Sequence, residues 1–126
     1  MADRVVISTA SAPPALGPYS QAVIAGGLVF TAGQVGLVPG STTLPEGIEA
    51  QTRQALENIR AIVEAAGSGL GKVVKTTVFL HNMDDFAAMN AVYGSFFVTE
   101  PPARSTVQVA RLPLGALVEI EAVALV

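Results

Sequence analysis

The closing stretch ALVEIEAVALV, residues 116–126, reads as a β-strand rich in β-branched and small apolar residues. Its two-residue period puts Leu117, Glu119, Glu121, Val123 and Leu125 on one face and Val118, Ile120, Ala122 and Ala124 on the other. Neither face is mainly polar, so a sheet built around this strand needs cover on both sides. Upstream, RVVIS (4–8), AVIAG (22–26) and LVFTAGQVG (28–36) are further short β runs, the last two joined at Gly26-Gly27 as in a hairpin. KVVKTTVFLH (72–81) and RSTVQVA (104–110) complete the set of strands.

Two helices interrupt them. From Glu46 to Ala66 the apolar positions Ile48, Ala55, Leu56, Ile59, Ile62 and Val63 recur at helical spacing, and Gly67 supplies a natural stop. DDFAAMNAVYGSFF (84–97) aligns Phe86, Met89, Tyr93 and Phe97 on an inner stripe, with Asp84 as the expected cap. Asn90 falls on that stripe, four residues after Phe86 and three before Tyr93, so its amide is expected to face the interior. The order β-β-β-α-β-α-β-β predicts an α+β fold, one mixed sheet of about six strands with both helices on one face, as crossover handedness favours. The opposite face would lie bare and call for a partner subunit. Composition gives the same expectation: 51% of the 126 residues are hydrophobic and 13% charged, against about 25% charged in ordinary soluble domains. A chain of this length is expected to form a single domain over residues 1–126.

Several chemistries are disfavoured at once. A net charge of −3 without a basic cluster argues against nucleic-acid binding. No apolar run approaches membrane-spanning length and the first residues lack a signal-peptide core, so the expected compartment is the cytoplasm. The absence of cysteine removes thiol nucleophiles and thiolate metal sites, and the single histidine, His81, cannot build a histidine cluster. GSGLGK (67–72) looks like a phosphate loop, but Ala66 stands where its first glycine belongs and the stretch runs from helix to strand rather than the reverse. It reads as a turn. Asp84-Asp85 is explained by helix capping and the helix dipole.

The run PPARSTVQVARLP, residues 101–113, is harder to dismiss. Arg104, Thr106 and Gln108 share one side of a strand. A guanidinium covered by a subunit loses hydration worth on the order of several kcal/mol and needs an anion in exchange. That anion is either an internal carboxylate, for which Glu119 and Glu121 are the nearest by pattern, or the carboxylate of a ligand. GPYSQAV (17–23) couples a Gly-Pro bend to Tyr19, whose phenol either borders a pocket or packs with its hydroxyl bonded.

Taken together, GPYSQAV, GQVG, QTRQALENIRAIVEAAG, VVKTTVFL, DFAAMNAVYGSFF, PARSTVQVARLP and VEIEAVAL resemble the RidA (YjgF) family of enamine/imine deaminases over essentially the whole chain. The resemblance implies a chorismate-mutase-like fold assembled as a homotrimer, with clefts at subunit interfaces and no metal or organic cofactor. It implies hydrolysis of 2-iminoacids, tautomers of enamines such as 2-aminoacrylate and 2-aminocrotonate, to 2-oxoacids and ammonia. Arg104 would then bind the substrate carboxylate as a planar fork, with groups near Thr106 assisting. Glu119 would orient a water and move its protons. Tyr19 from a neighbouring subunit would border the pocket, which Ala32, Gly33 and Asn90 would help to form. The chain departs from common family patterns at Ala32, Thr106 and Leu114, where serine, cysteine and lysine are frequent, and lacks the usual phenylalanine before PAR. Within the resemblance, a non-catalytic carboxylate-binding or regulatory trimer and a pathway-specific deaminase stay open as alternatives. A ribonuclease or translation-inhibitor role suits the acidic composition poorly.

Overall fold

The computed structural model describes residues 3–126. Seven strands form one mixed sheet: β1 (Arg4–Ile7), β2 (Ala22–Ala25), β3 (Leu28–Thr31), β4 (Gln34–Val35), β5 (Val73–Leu80), β6 (Ala103–Gln108) and β7 (Val118–Leu125). The spatial order is β1-β2-β3-β7-β5-β6, with β4 also on β7. All neighbours are antiparallel except β5 and β6, which are parallel and joined through helix α2 (Phe86–Phe96). That β5-α2-β6 unit is the crossover the element order required.

The expected six strands are seven because the run 28–36 is broken. Phe30 pairs with Val123 and Gln34 with Ile120, so four steps along one strand meet three along the other. The extra residue is a bulge at Ala32-Gly33. Thr31 fills the gap in the ladder, its Oγ1 accepting the Ala122 N–H at 3.0 Å.

Helix α1 (Ile48–Ala65) lies across the sheet and against α2, and both helices occupy the same face, as expected. Leu56, Ile59, Ile62 and Val63 of α1 meet Val29, Val78, Leu80, Val118 and Ile120 in a fully buried core. The helix ends as Gly67 predicts: φ is +83° there, the Gly67 N–H donates to the Glu64 carbonyl at 3.0 Å, and the Ser68 N–H donates to Val63 at 2.9 Å. The second helix starts differently from expectation. Asn82, not Asp84, supplies the side-chain cap, accepting the Asp84 N–H at 2.9 Å ahead of a 3-10 turn over Met83–Asp85.

Two buried amides on α1, Gln51 and Asn58, carry no apolar signal and stand outside the periodic stripe. Gln51 accepts the Leu117 N–H at 2.8 Å and donates to the Pro45 carbonyl at 2.9 Å. Asn58 donates to the carbonyls of Val35 and Leu37 at 3.2 and 2.9 Å. Asn58 thus satisfies carbonyls of the segment 35–37 that follows the bulge, and Gln51 satisfies groups at Pro45 and Leu117, all of which would otherwise be orphaned near the helix. The same segment approaches α1 so closely that a Cβ on Gly36 would stand 2.7 Å from the Gln51 Cα. Gly36→Ala is therefore expected to cost about 1–3 kcal/mol as overpacking, read as a lowered midpoint in urea. An unchanged midpoint would contradict the close approach.

Candidate functional site

Strand register decides which expected site residues can meet. Thr76 of β5 pairs with Arg104 of β6 and with Ala122 of β7, and Thr76 and Ala122 are buried on the helix-covered face. Arg104 therefore lies on that face. Glu119 pairs with Phe79 and with Val35, an odd number of steps away, and faces the other side. Glu121 does likewise. Neither glutamate can serve as the internal partner of Arg104 suggested by pattern, and Arg104 has no carboxylate partner among the described residues.

What holds Arg104 instead is aromatic. Its guanidinium carbon is 4.6 Å from the centroid of the Tyr93 ring and 5.4 Å from that of Phe86, within cation–π reach. Tyr93 is itself fixed, its hydroxyl 2.7 Å from Thr76 Oγ1 and its ring 4.7 Å from that of Phe97. Burial raises the Tyr93 pKa against the lowering effects of Thr76 and Arg104, so the phenol stays neutral. Arg104 opens into a cleft of about 390 Å³ shared with Asn90, Tyr93, Phe97, Pro101 and Pro102. Asn90 is exposed there, contrary to the interior position its stripe suggested. The stripe is read from spacing, but α2 is the outer helix and its flank at Asn90 looks toward the Pro101-Pro102 segment rather than α1.

Thr106 is two residues further along β6, on the same face, and its Oγ1 is buried with no hydrogen-bond partner. β6 is the last strand of the sheet, so its outer row of backbone groups is unpaired within the chain. Guanidinium, hydroxyl and free strand edge together make an anion-receptive cluster.

A second group of candidate residues lies on the other face. Tyr19, Gly33 and Glu119 border a cavity of about 240 Å³ whose remaining walls include Leu16, Val35 and Leu114. The bulge matters here: an added Cβ at Gly33 would overlap the Glu119 carboxyl group, 2.8 Å from its Cδ. Glycine at this position lets the carboxyl fold against the strand. Ala32 does not line the cavity; its N–H is committed to the Gln21 carbonyl at 2.8 Å. Gln21, another buried amide absent from the sequence-based candidates, also accepts the Thr9 N–H at 2.6 Å and donates to the Pro13 carbonyl at 2.7 Å. It fixes the loop that forms the cavity's outer wall. Tyr19 is 54% exposed, its hydroxyl 3.4 Å from the Leu16 nitrogen, and so stands at the rim rather than in the core. His81 is exposed and borders a separate groove with Arg111.

Desolvation raises the Glu119 pKa, and the neighbouring Glu121 adds to the rise. A carboxyl group with a raised folded-state pKa favours folding when protonated and disfavours it when ionised. Its stabilising contribution is complete below the unfolded value, about pH 4, and is lost as pH rises through the folded value. Glu119→Gln should therefore raise Tm at pH 7–8, with the gain shrinking toward pH 4. A difference in Tm that does not vary with pH would contradict the burial of an ionisable group here.

The family model described as Endoribonuclease L-PSP matches residues 9–126. A RutC family protein of Pyrococcus horikoshii is 52% identical over 122 residues, covering 96% of this chain and 97% of the relative. The 2-iminobutanoate/2-iminopropanoate deaminase of Salmonella typhimurium is 50% identical over 121 residues, 94% of each chain. The crystal structure of E. coli TdcF with bound serine superposes with a TM-score of 0.93 at 46% identity, covering 97% of this chain and 98% of that one. Sequence, fold and the length of the match agree that the chain belongs to the YjgF/RidA family.

Proposed function

We propose that the protein hydrolyses 2-iminoacids such as 2-iminobutanoate and 2-iminopropanoate to 2-oxoacids and ammonia, in sites completed between the subunits of a homotrimer. The observation that carries this reading is the separation of an unpaired guanidinium from a carboxyl group of raised pKa on opposite faces of one sheet. Each is half of a site for a small anion that must be protonated during reaction, and one chain cannot join them. The bare face offers the means of assembly. Val6, Val23, Phe30 and Val123 pair across β1, β2, β3 and β7 on that face, Val6 54% and Phe30 44% exposed. An apolar row of this kind is expected to be covered by another copy.

In the assembled site, Arg104 takes the carboxylate of the iminoacid in a bidentate grip. Asn90, Thr106 and the free edge of β6 complete that end. Glu119, Gly33 and Tyr19 of the adjoining subunit meet the imine. Water attacks the C=N carbon and gives a proton to ionised Glu119, which passes it to the nitrogen to form the carbinolamine; the carbinolamine hydroxyl then yields its proton through Glu119 to the departing nitrogen. The C–N bond then breaks, the hydroxyl collapses to the carbonyl, and one water has been exchanged for one ammonia. A carboxyl group whose pKa is moved toward neutrality suits both directions of that transfer. No cofactor is called for, since an imine is already electrophilic and positioning supplies much of the remaining rate. The Salmonella relative carries the deaminase name, and the E. coli relative is solved with serine, a small α-amino carboxylate of the size proposed.

Purified protein added to a threonine dehydratase reaction at limiting dehydratase should accelerate 2-oxobutyrate release. Arg104→Ala should reduce that acceleration at least about a hundredfold, from two charge-assisted hydrogen bonds of about 1.5–3 kcal/mol each, while leaving the oligomer assembled. Turnover by the variant within a few-fold of the parent would exclude Arg104 as the carboxylate anchor. No acceleration by the parent would favour a carboxylate-binding protein without turnover.

A further inference from the structure

Leu114 occupies a backbone position that leucine should avoid. Residues 113–116 form a tight turn in which the Ala116 N–H donates to the Pro113 carbonyl at 3.0 Å, with φ of +61° at Leu114 and +68° at Gly115. Positive φ at both central residues is the type I′ pattern, for which Asn-Gly, Asp-Gly and Gly-Gly are the favoured pairs. Any residue with a Cβ other than Asn or Asp is strained there, because the Cβ crowds the following carbonyl oxygen. Burial within the chain does not compensate: Leu114 is 65% exposed there and takes no part in the core. Strain without packing at a cavity wall suggests a role in what the cavity holds.

The cavity in question is the one containing Glu119. Leu114 forms the partition between it and the neighbouring groove of His81 and Arg111. Most of the other lining residues, Pro13, Leu16, Val35 and Leu37 among them, are apolar, Tyr19 and Gln34 are polar, and Glu119 is the sole charged one among the described residues. We infer that Leu114 is a specificity-determining residue, presented by its strained turn to contact the substrate side chain, and that it selects 2-iminoacids with apolar side chains of leucine size over 2-iminopropanoate. This rests on the deaminase reading and adds the substrate class to it. A single methylene in an apolar pocket discriminates by about 10–200-fold, so one leucine contact is enough to set such a preference.

The test compares kcat/KM for 2-imino-4-methylpentanoate and 2-iminopropanoate, each generated in place by an amino-acid oxidase, in the parent and in Leu114→Asn and Leu114→Gly. Both replacements are favoured at this turn position, so both should fold and should raise Tm. The parent is expected to prefer the larger imine by about tenfold or more. Each variant should lose most of that preference, its kcat/KM falling about tenfold or more further for the larger imine than for the smaller. A ratio unchanged in both variants, equal losses on both imines, or no preference in the parent would overturn the inference while leaving the deaminase reading intact. A Tm unchanged or lowered in both variants would overturn the premise of strain. Failure of the parent to turn over either imine would instead overturn the deaminase reading itself.

Discussion

Along β7 the side chains of Val118, Ile120, Ala122 and Ala124 are pinned beneath α1, and the two-residue period of a strand then forces Glu119 and Glu121 to the opposite face. β7 is also the strand on which β3, β4 and β5 all pair. Its alternation therefore propagates: through β5 it assigns Arg104 to the helix side, and through β4 it brings Gly33 over Glu119. The apolar contacts that make the core are the same contacts that keep the guanidinium and the carboxyl group apart.

That separation has an electrostatic logic. Within one chain an ion pair between Arg104 and Glu119 would lower the carboxyl pKa and occupy the guanidinium. Held on opposite faces, Glu119 keeps a raised pKa and Arg104 rests on the π faces of Tyr93 and Phe86, available to an anion from outside. Aromatic stacking suits this purpose because it orients the fork without neutralising it. The bulge at Ala32-Gly33 completes the arrangement by removing a Cβ where the carboxyl group lies.

Much of this was legible in the chain. The helical stripe of Leu56, Ile59, Ile62 and Val63, the stop at Gly67 and the two-faced pattern of residues 117–125 each follow from local periodicity. So did the grouping of Arg104 with Thr106. What escaped depended on distant partners. The faces of Arg104 and Glu119 relative to one another follow only from the β5–β6 and β5–β7 registers, which no single segment specifies. Gln21, Gln51 and Asn58 are polar residues in apolar surroundings whose partners are backbone groups of other segments. Asn90 lay on a helical stripe that is only partly covered, and spacing does not say which flank of an outer helix meets solvent. Leu114 stands out in the sequence only as a departure from a frequent lysine; its positive φ gives no signal because the backbone there runs against the preference of its own side chain.

A mixed oligomer tests the division of the proposed site most directly. Arg104→Ala and Glu119→Gln chains, each expected to be inactive alone, would be unfolded together, refolded as a mixture and assayed for imine turnover. If the two groups act from different subunits, random association restores roughly a quarter of the parental sites, and activity should return to about that level. Mixtures that assemble yet stay as inactive as their components would show that no site joins Arg104 of one chain to Glu119 of another.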